Sequence, residues 1–407
     1  MKAEKEMENR EREDRRSVSI AGSSMFFNGI CASSGGVIVA LLQEHAGMSY
    51  AQSGMMLSAL SIGQLFSCWL VGFLPAKIGL KKTIWIMSAG LGLGYLLMTG
   101  VSALALPILF LSCLCGYFLI GVGKGATLNV ANVMSGKTLE PAKNLNLEHA
   151  AFAFGSLIGP VIIAGMSAAE LAWWTPLLML SLSGVLLYLV FLSAGLPGKP
   201  QTKTAGRAQT STGGRYSFLK SGKFWLLTSI LFCQQCTEIA VTGWLVTYFK
   251  DMGILTGAAS QMTVTVVWAA MMVGRLFIAF RLKLKNLPRA MMLMGLGCTL
   301  TYLAMLTAGN AVAALILLGL FGLSIAGVYP TTIAAAGEML SNESMGVMLP
   351  LAAIGAIAMP SLVGAVAERL GIQAGMLLIL ISVTGIMLLG GLLGVMEKKW
   401  KASAAQS

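Results

Sequence analysis

Long apolar runs alternate along the chain with short polar stretches. Each run has about 20 residues or more, the length at which an α-helix spans the roughly 30 Å hydrocarbon core of a bilayer. The short alternating segments of an outer-membrane β-barrel do not occur, so the pattern predicts transmembrane helices. Hydropathy divides the chain into twelve spans, at about residues 17–43, 50–75, 82–102, 105–136, 143–168, 173–196, 223–250, 257–282, 288–308, 311–340, 343–369 and 373–396.

The longest polar loop separates six spans from the next six. It is rich in Gly, Pro, Ser, Thr and basic residues, a composition typical of a flexible linker. We therefore predict an all-α membrane protein with two six-helix bundles. The predicted parts are a charged tail at 1–16, a bundle at 17–196, the linker at 197–222, a bundle at 223–396 and a tail at 397–407.

The two predicted bundles resemble each other in sequence. The stretch "IGQLFSCWL" in span 2 is echoed by "VGRLFIAFR" in span 8. Glycine and proline stand five residues apart in span 5, at Gly155 and Pro160, and again in span 11, at Gly355 and Pro360. Equivalent positions recur about 200 residues apart, which indicates parallel repeats related by an axis along the membrane normal.

Composition and charge agree with a membrane protein and give its predicted orientation. Of the 407 residues, 56% are hydrophobic and only 11% are charged. The net charge of +12 comes from basic residues in alternate short loops, while the opposite loops hold little beyond Lys250 and Arg369. This asymmetry predicts a multi-pass protein of the plasma or inner membrane with both termini and the linker in the cytoplasm, rather than a nucleic-acid-binding protein.

Several stretches are similar to a known transporter family. They are "GVGKG" in span 4, "NLNLEHAAFAFGSLIGP" in span 5, "CTEIAVTGWLVTYF" in span 7, "WAAMMVGRLF" in span 8 and "GLFGLSIAGVYPTTIAAA" in span 10. Together they resemble the fucose, galactose and glucose permease branch of the major facilitator superfamily. The resemblance implies the major facilitator fold, alternating access and a sugar as substrate. Proton-coupled members of that branch carry a span 4 carboxylate where this chain has Leu128 or Asn129, which implies coupling elsewhere or none.

Ionisable side chains inside the predicted spans are the first candidates for the site, because a charge at the bilayer centre costs about 2.5–3.5 kcal/mol on insertion scales. Glu238 in span 7 matches a glutamate of the family pattern, and Gln234 and Gln235 stand four and three residues before it. Their carboxylate and amide groups suit sugar hydroxyls, which need donors and acceptors. The alternative is that Glu238 only holds helices together.

Lys124 lies near the middle of span 4 and has three interpretations. It pairs with Glu238 across the two bundles, it contacts an anionic substrate, or it is a structural lysine that reaches toward the interface. Asn129 and Asn132 lie one turn apart and bind either a polyhydroxylated ligand or a neighbouring helix. Weaker substrate candidates are Asn28, Gln64 and Trp268.

A second group of polar residues lies nearer the predicted cytoplasmic ends and is predicted to act in gating. It comprises Glu148, His149 and Arg275. His149 could change charge near neutral pH. The alternative is that Glu148 is a helix-start acid favoured by the helix dipole, with a hydrogen-bonded histidine beside it.

These patterns lead to a functional hypothesis: a carrier of a hexose-like sugar, proton-linked through Glu238 or uncoupled, with its site at mid-depth between spans 1, 4, 7 and 10. The alternative is an organic anion or drug exporter in which Lys124 binds a carboxylate. We expect no enzyme activity, because neither zinc-protease spacing nor a nucleophile motif occurs. We also expect no cofactor and no metal, and a monomer whose partners are a small solute, the lipid bilayer and, if transport is coupled, protons.

Overall fold

A computed structural model describes residues 2–100, 105–196, 217–282, 284–340 and 342–406. Every regular element within these ranges is helical. Among the described residues, twelve helices are long and apolar enough to cross a membrane. The predicted all-α fold with twelve spans is therefore confirmed.

The chain forms two compact units, and the first comprises Met1–Thr204. Within its described part, each predicted span is matched by one long helix, and a short helix, α3, follows the second. The helices are α1 (Lys2–Ala46), α2 (Tyr50–Phe73), α3 (Pro75–Ile78), α4 (Leu80–Gly100), α5 (Leu106–Gly136), α6 (Pro141–Ala168) and α7 (Thr175–Ser193).

The second unit comprises Ala205–Ser407. Most of the predicted linker, residues 197–216, lies outside the described residues. A single 3₁₀ turn at Ser217–Lys220 precedes the helices of this unit. These are α8 (Gly222–Asp251), α9 (Gly257–Arg281), α10 (Leu287–Leu306), α11 (Ala311–Ile325), α12 (Val328–Met339), α13 (Asn342–Leu370) and α14 (Ile372–Gln406).

The first helix begins earlier than hydropathy predicts. The charged stretch before residue 17 is helical and continuous with the first span. Arg12 pairs with Glu8 and Arg15 with Glu11, each four residues apart on one helix face. Glu and Arg are good helix formers and such pairs support a helix, which explains why the stretch continues α1 although it is not apolar.

Each unit packs its helices in the same pattern. In the first unit α1 lies along α6 and α2 along α5, and in the second α8 lies along α13 and α9 along α11. Glycines permit the close approach. A Cβ added at Gly155 would lie 2.0 Å from the Phe26 carbonyl oxygen of α1, and one at Gly355 would lie 2.5 Å from the Phe232 carbonyl oxygen of α8. The glycines that repeat in sequence thus occupy equivalent helix contacts.

Span 10 is interrupted where α11 ends and α12 begins. Pro330 lies in the first turn of α12, and a proline has no backbone N–H to donate to the carbonyl four residues earlier. The carbonyl of Ala326 is therefore left without its usual helical partner. In a membrane such a freed carbonyl is stabilised only by another donor.

Candidate functional site

Glu238 lies halfway along α8 and is largely buried. Its side chain is 14% exposed. The Gln234 side-chain amide, one turn earlier on the same helix, donates to Oε2 of Glu238 at 2.6 Å. The short distance is typical of a hydrogen bond to a charged acceptor. Gln234 is itself fully buried, and its Oε1 has no hydrogen-bond partner among the described residues.

Arg275 approaches Glu238 from the neighbouring helix α9. One guanidinium nitrogen lies 3.9 Å from Oε2 of Glu238, and the Arg275 side chain is 41% exposed. The Nε of Arg275 donates to the Ala326 carbonyl oxygen at 3.3 Å. Arg275 therefore links α8 and α9 to the break between α11 and α12.

The proline in span 10 explains this arrangement. Because Pro330 cannot donate to Ala326, the carbonyl is available to Arg275. The adjacent Tyr329 is half-buried and interacts electrostatically with Glu238 and Arg275. Sequence analysis missed Ala326 and Tyr329, although a proline inside an apolar span was the signal that could have found the freed carbonyl.

Within the second unit, this cluster of Gln234, Glu238, Arg275 and Tyr329 offers both hydrogen-bond donors and acceptors. The carboxylate and the guanidinium balance each other in charge. Such a set suits a neutral polar ligand better than a strongly charged one, because an added charge would leave one member of the pair uncompensated.

In the first unit Asn28 joins α1 to α5. Its side-chain nitrogen donates to the Thr127 hydroxyl and to the Ser24 carbonyl, each at 2.9 Å. The Thr127 hydroxyl in turn donates to the Gly123 carbonyl at 2.8 Å. Asn28 is fully buried, and its Oδ1 has no hydrogen-bond partner in the described part of the chain. Asn28 is therefore built into the contact between the two helices.

Lys124 is half-buried in α5, beside this contact. Its ammonium interacts electrostatically with the buried Cys31 thiol of α1. Glu238 has Gln234 and Arg275 as partners within its own unit. The hypothesis that Lys124 pairs with Glu238 concerns two different units and stays a prediction.

Asn129 contacts a neighbouring helix in this structure. Its side-chain nitrogen lies 3.2 Å from the sulfur of Cys68 on α2. Gln64, one turn before Cys68, is half-buried, as is Asn132 on α5. One turn away the two helices are in close backbone contact, since a Cβ at Gly125 would lie 2.8 Å from the Gln64 carbonyl oxygen.

The other predicted residues are more scattered. Gln235 is half-buried on α8, Trp268 is 8% exposed on α9, and His149 is exposed near the start of α6. Beside His149, Glu148 is 1% exposed and accepts a hydrogen bond from the Ser135 hydroxyl of α5. In the described residues, no three His, Cys, Asp or Glu side chains are grouped so as to hold a metal ion.

Known protein families include one whose model matches this chain. The family model of the Major Facilitator Superfamily matches residues 21–349, most of the chain. This chain belongs to the Major Facilitator Superfamily. It is therefore a multi-pass membrane transporter, as the resemblance in spans 4, 5, 7, 8 and 10 implied. The assignment to the sugar permease branch stays a prediction.

Solved structures of other superfamily transporters share the fold. The nucleoside transporter NupG matches with a TM-score of 0.72 at 16% identity, over 94% of this chain and 99% of that chain. A mutant of NupG matches with a TM-score of 0.74 at 15% identity and the same coverage. A bacterial homologue of the human lysosomal transporter Spinster, inward-facing and occupied, matches with a TM-score of 0.67 at 11% identity, over 94% of this chain and 96% of that chain. No curated protein matches the sequence. At these identities the likeness shows the fold alone.

Proposed function

We propose that this superfamily member carries a small, neutral, polyhydroxylated solute, a hexose-like sugar in the first instance, by alternating access. The two six-helix bundles, 17–196 and 223–396, are the parts that rock, and both termini lie in the cytoplasm of a plasma or inner membrane. Transport is either proton-linked through Glu238 or uncoupled.

The observation that carries this proposal is the contact of Glu238 with Gln234 and Arg275. These side chains present donors and acceptors beside the middle of α8, and carriers of this fold bind their solute near the bilayer midplane. A buried acceptor without a partner costs about 1–3 kcal/mol, so the unsatisfied Oε1 of Gln234 favours a ligand or water that brings a donor. A sugar hydroxyl supplies one without adding charge.

A role for Glu238 in coupling follows from the same geometry. Protonating its carboxylate would remove the attraction to Arg275 and leave the guanidinium nitrogen that faces Glu238 available to the solute. Two ligands that bias the same pair of conformations are coupled in free energy. Proton and solute would then affect one another through the Glu238–Arg275 contact.

The test is uptake into proteoliposomes, with and without an inward proton gradient. The panel comprises radiolabelled glucose, mannose, fucose, a nucleoside and a monocarboxylate, given to the wild type, to Glu238→Gln and to the control Glu338→Gln, whose carboxylate is exposed in the same unit. We expect saturable sugar uptake that the gradient raises, and that Glu238→Gln alone makes insensitive to the gradient. If the rate of sugar uptake by the wild type does not depend on the proton gradient, transport is uncoupled from protons.

A second candidate function is export or uptake of an organic anion. The half-buried Lys124 favours it, because a cation within a span suits an anionic group of a solute. Monocarboxylate uptake without sugar uptake, lost in Lys124→Gln, would support this function and contradict the sugar proposal. Uptake of the nucleoside alone would support a neutral polar solute but would show that the solute is a nucleoside and not a hexose.

A further inference from the structure

Glu148 is a buried acid that the proposed site does not use. Its residue is 1% exposed, and Oε2 accepts a hydrogen bond from the Ser135 hydroxyl, which is fully buried at the end of α5. Its Oε1 has no hydrogen-bond partner within the described residues. One of the two carboxyl oxygens is therefore buried without a hydrogen bond from any described residue.

Apolar side chains pack one helical turn from Glu148 and Ser135, while Asn144, one turn before Glu148 on α6, donates to the Thr138 hydroxyl at 2.9 Å. Ala21 and Met25 of α1 and Ala131 of α5 form a buried cluster, with Phe152 packed against it. Phe152 lies four residues after Glu148 and shares its face of α6. Ala131 likewise lies four residues before Ser135 and shares its face of α5. An ionised carboxylate in such surroundings costs several kcal/mol and is neutralised unless a cation or several donors stabilise it.

Among the described side chains at this end of the unit, the cation Arg16 and the anion Asp14 have other partners, and Lys137 is exposed. Arg16 of α1 donates to the Ser193 carbonyl, and Asp14 accepts from the Leu139 backbone N–H at 2.6 Å. α7 carries only Tyr188 as a titratable group, and the side chain of Lys143 lies outside the described part. The other described groups on α5 and α6 that carry charge or titrate are the exposed His149 and, farther along α5, Cys113, Cys115, Tyr117 and Lys124, while Lys137 lies just past the end of α5.

We propose that Glu148 is a proton-binding site, in which the carboxyl group holds a proton and hydrogen-bonds to Ser135. The site lies at the end of the first unit where α5 passes into α6. Separation of α5 from the first turns of α6 would admit water to Glu148, stabilise its ionised form and release the proton. That release would occur on the predicted cytoplasmic side, and this last step rests on the proposed function.

Infrared spectroscopy of the purified protein in lipid tests the site without any solute. The C=O stretch of a protonated carboxyl group is separate from the bands of carboxylates and of the backbone. At neutral pH we expect the wild type to show such a band, Glu148→Gln to lose it, and Glu140→Gln to keep it, because Glu140 is exposed at the same end of α6. Identical spectra of the wild type and Glu148→Gln would overturn the proposal.

Ser135→Ala provides a second measurement that keeps the acid. Losing the hydroxyl should shift the frequency of the same band, because it removes the hydrogen bond to the carboxyl group. The variant also keeps the proposal testable if Glu148→Gln does not fold. An unshifted band would contradict the assigned partner.

Uptake at varied internal pH then tests release. We expect the wild-type rate to change with the pH inside the vesicle and Glu148→Gln to lose that dependence. If the uptake rate of Glu148→Gln depends on internal pH as the wild-type rate does, Glu148 does not release a proton during transport. If the wild type transports none of the solutes, the proposed function fails, while the infrared band still decides whether the site exists.

Discussion

Pro330 and Arg275 act on the same backbone carbonyl. Pro330 removes the hydrogen bond that Ala326 would accept in a continuous helix, and Arg275 donates to it instead. The guanidinium is thereby held where one nitrogen lies 3.9 Å from Glu238. A residue that carries no polar group of its own thus helps to position the charge in the candidate site.

The Glu238–Arg275 contact should show a small but measurable coupling. At 3.9 Å, and with Arg275 41% exposed, solvent weakens the attraction. We expect a double-mutant cycle of Glu238→Gln and Arg275→Gln, measured by thermal unfolding in detergent, to give about 0.5–1 kcal/mol. Arg275→Lys should keep part of it, since lysine retains the charge but not the Nε donor. Strictly additive single substitutions would mean that the two side chains do not interact.

Gln234, Glu238 and Arg275 could be picked out from the sequence, but Tyr329 and the contacts within the cluster could not. Glu238 and Gln234 are one turn apart, so their hydrogen bond follows from helical spacing alone. The approach of Arg275 depends on how α9 packs beside α8, which spacing along one helix does not encode. Asn129 shows the same limit, because its donor contact with Cys68 depends on the packing of α2 against α5.

The close contact between α1 and α6 is possible because glycine has no side chain. Around Gly155 the helices approach so closely that an added Cβ would lie 2.0 Å from the Phe26 carbonyl oxygen. Backbone atoms cannot move aside as a flexible side chain can. The paired glycine and proline in spans 5 and 11 predicted an equivalence between these helices, but not the partner that each glycine touches.

A pair of substitutions in one helix tests this contact. Gly155→Ala should destabilise the first unit by about 1–3 kcal/mol, because the helices must separate to admit the methyl group. Gly165→Ala is the matched control, since an added Cβ there would meet nothing within 4 Å. It should be neutral or stabilising by up to about 1 kcal/mol, because alanine favours a helix more than glycine does. Thermal unfolding in detergent measures both, and equal effects would contradict the packing of α1 against α6.

Hydropathy predicted the spans well because the bilayer sets a similar minimum length for every helix that crosses it. The first and last helices run beyond the predicted spans, to Lys2 and Gln406, where good helix formers continue a helix that apolar content does not require. The superfamily fold could be predicted from span number, repeat and motifs together. The solute could not, because the same fold serves many solutes and the site depends on a few side chains.

The asymmetry of basic residues predicts which side of the membrane each loop faces, and labelling can test it. Glu170 and Lys220 are both exposed, and α7 is the membrane helix between them. Glu170→Cys and Lys220→Cys would each be made with the exposed Cys68 and Cys115 replaced by serine. A membrane-impermeant maleimide should label Glu170→Cys in intact cells and Lys220→Cys only after permeabilisation, because basic loops stay in the cytoplasm. The reverse pattern would invert the orientation, and labelling of both from one side would mean that α7 does not cross the membrane.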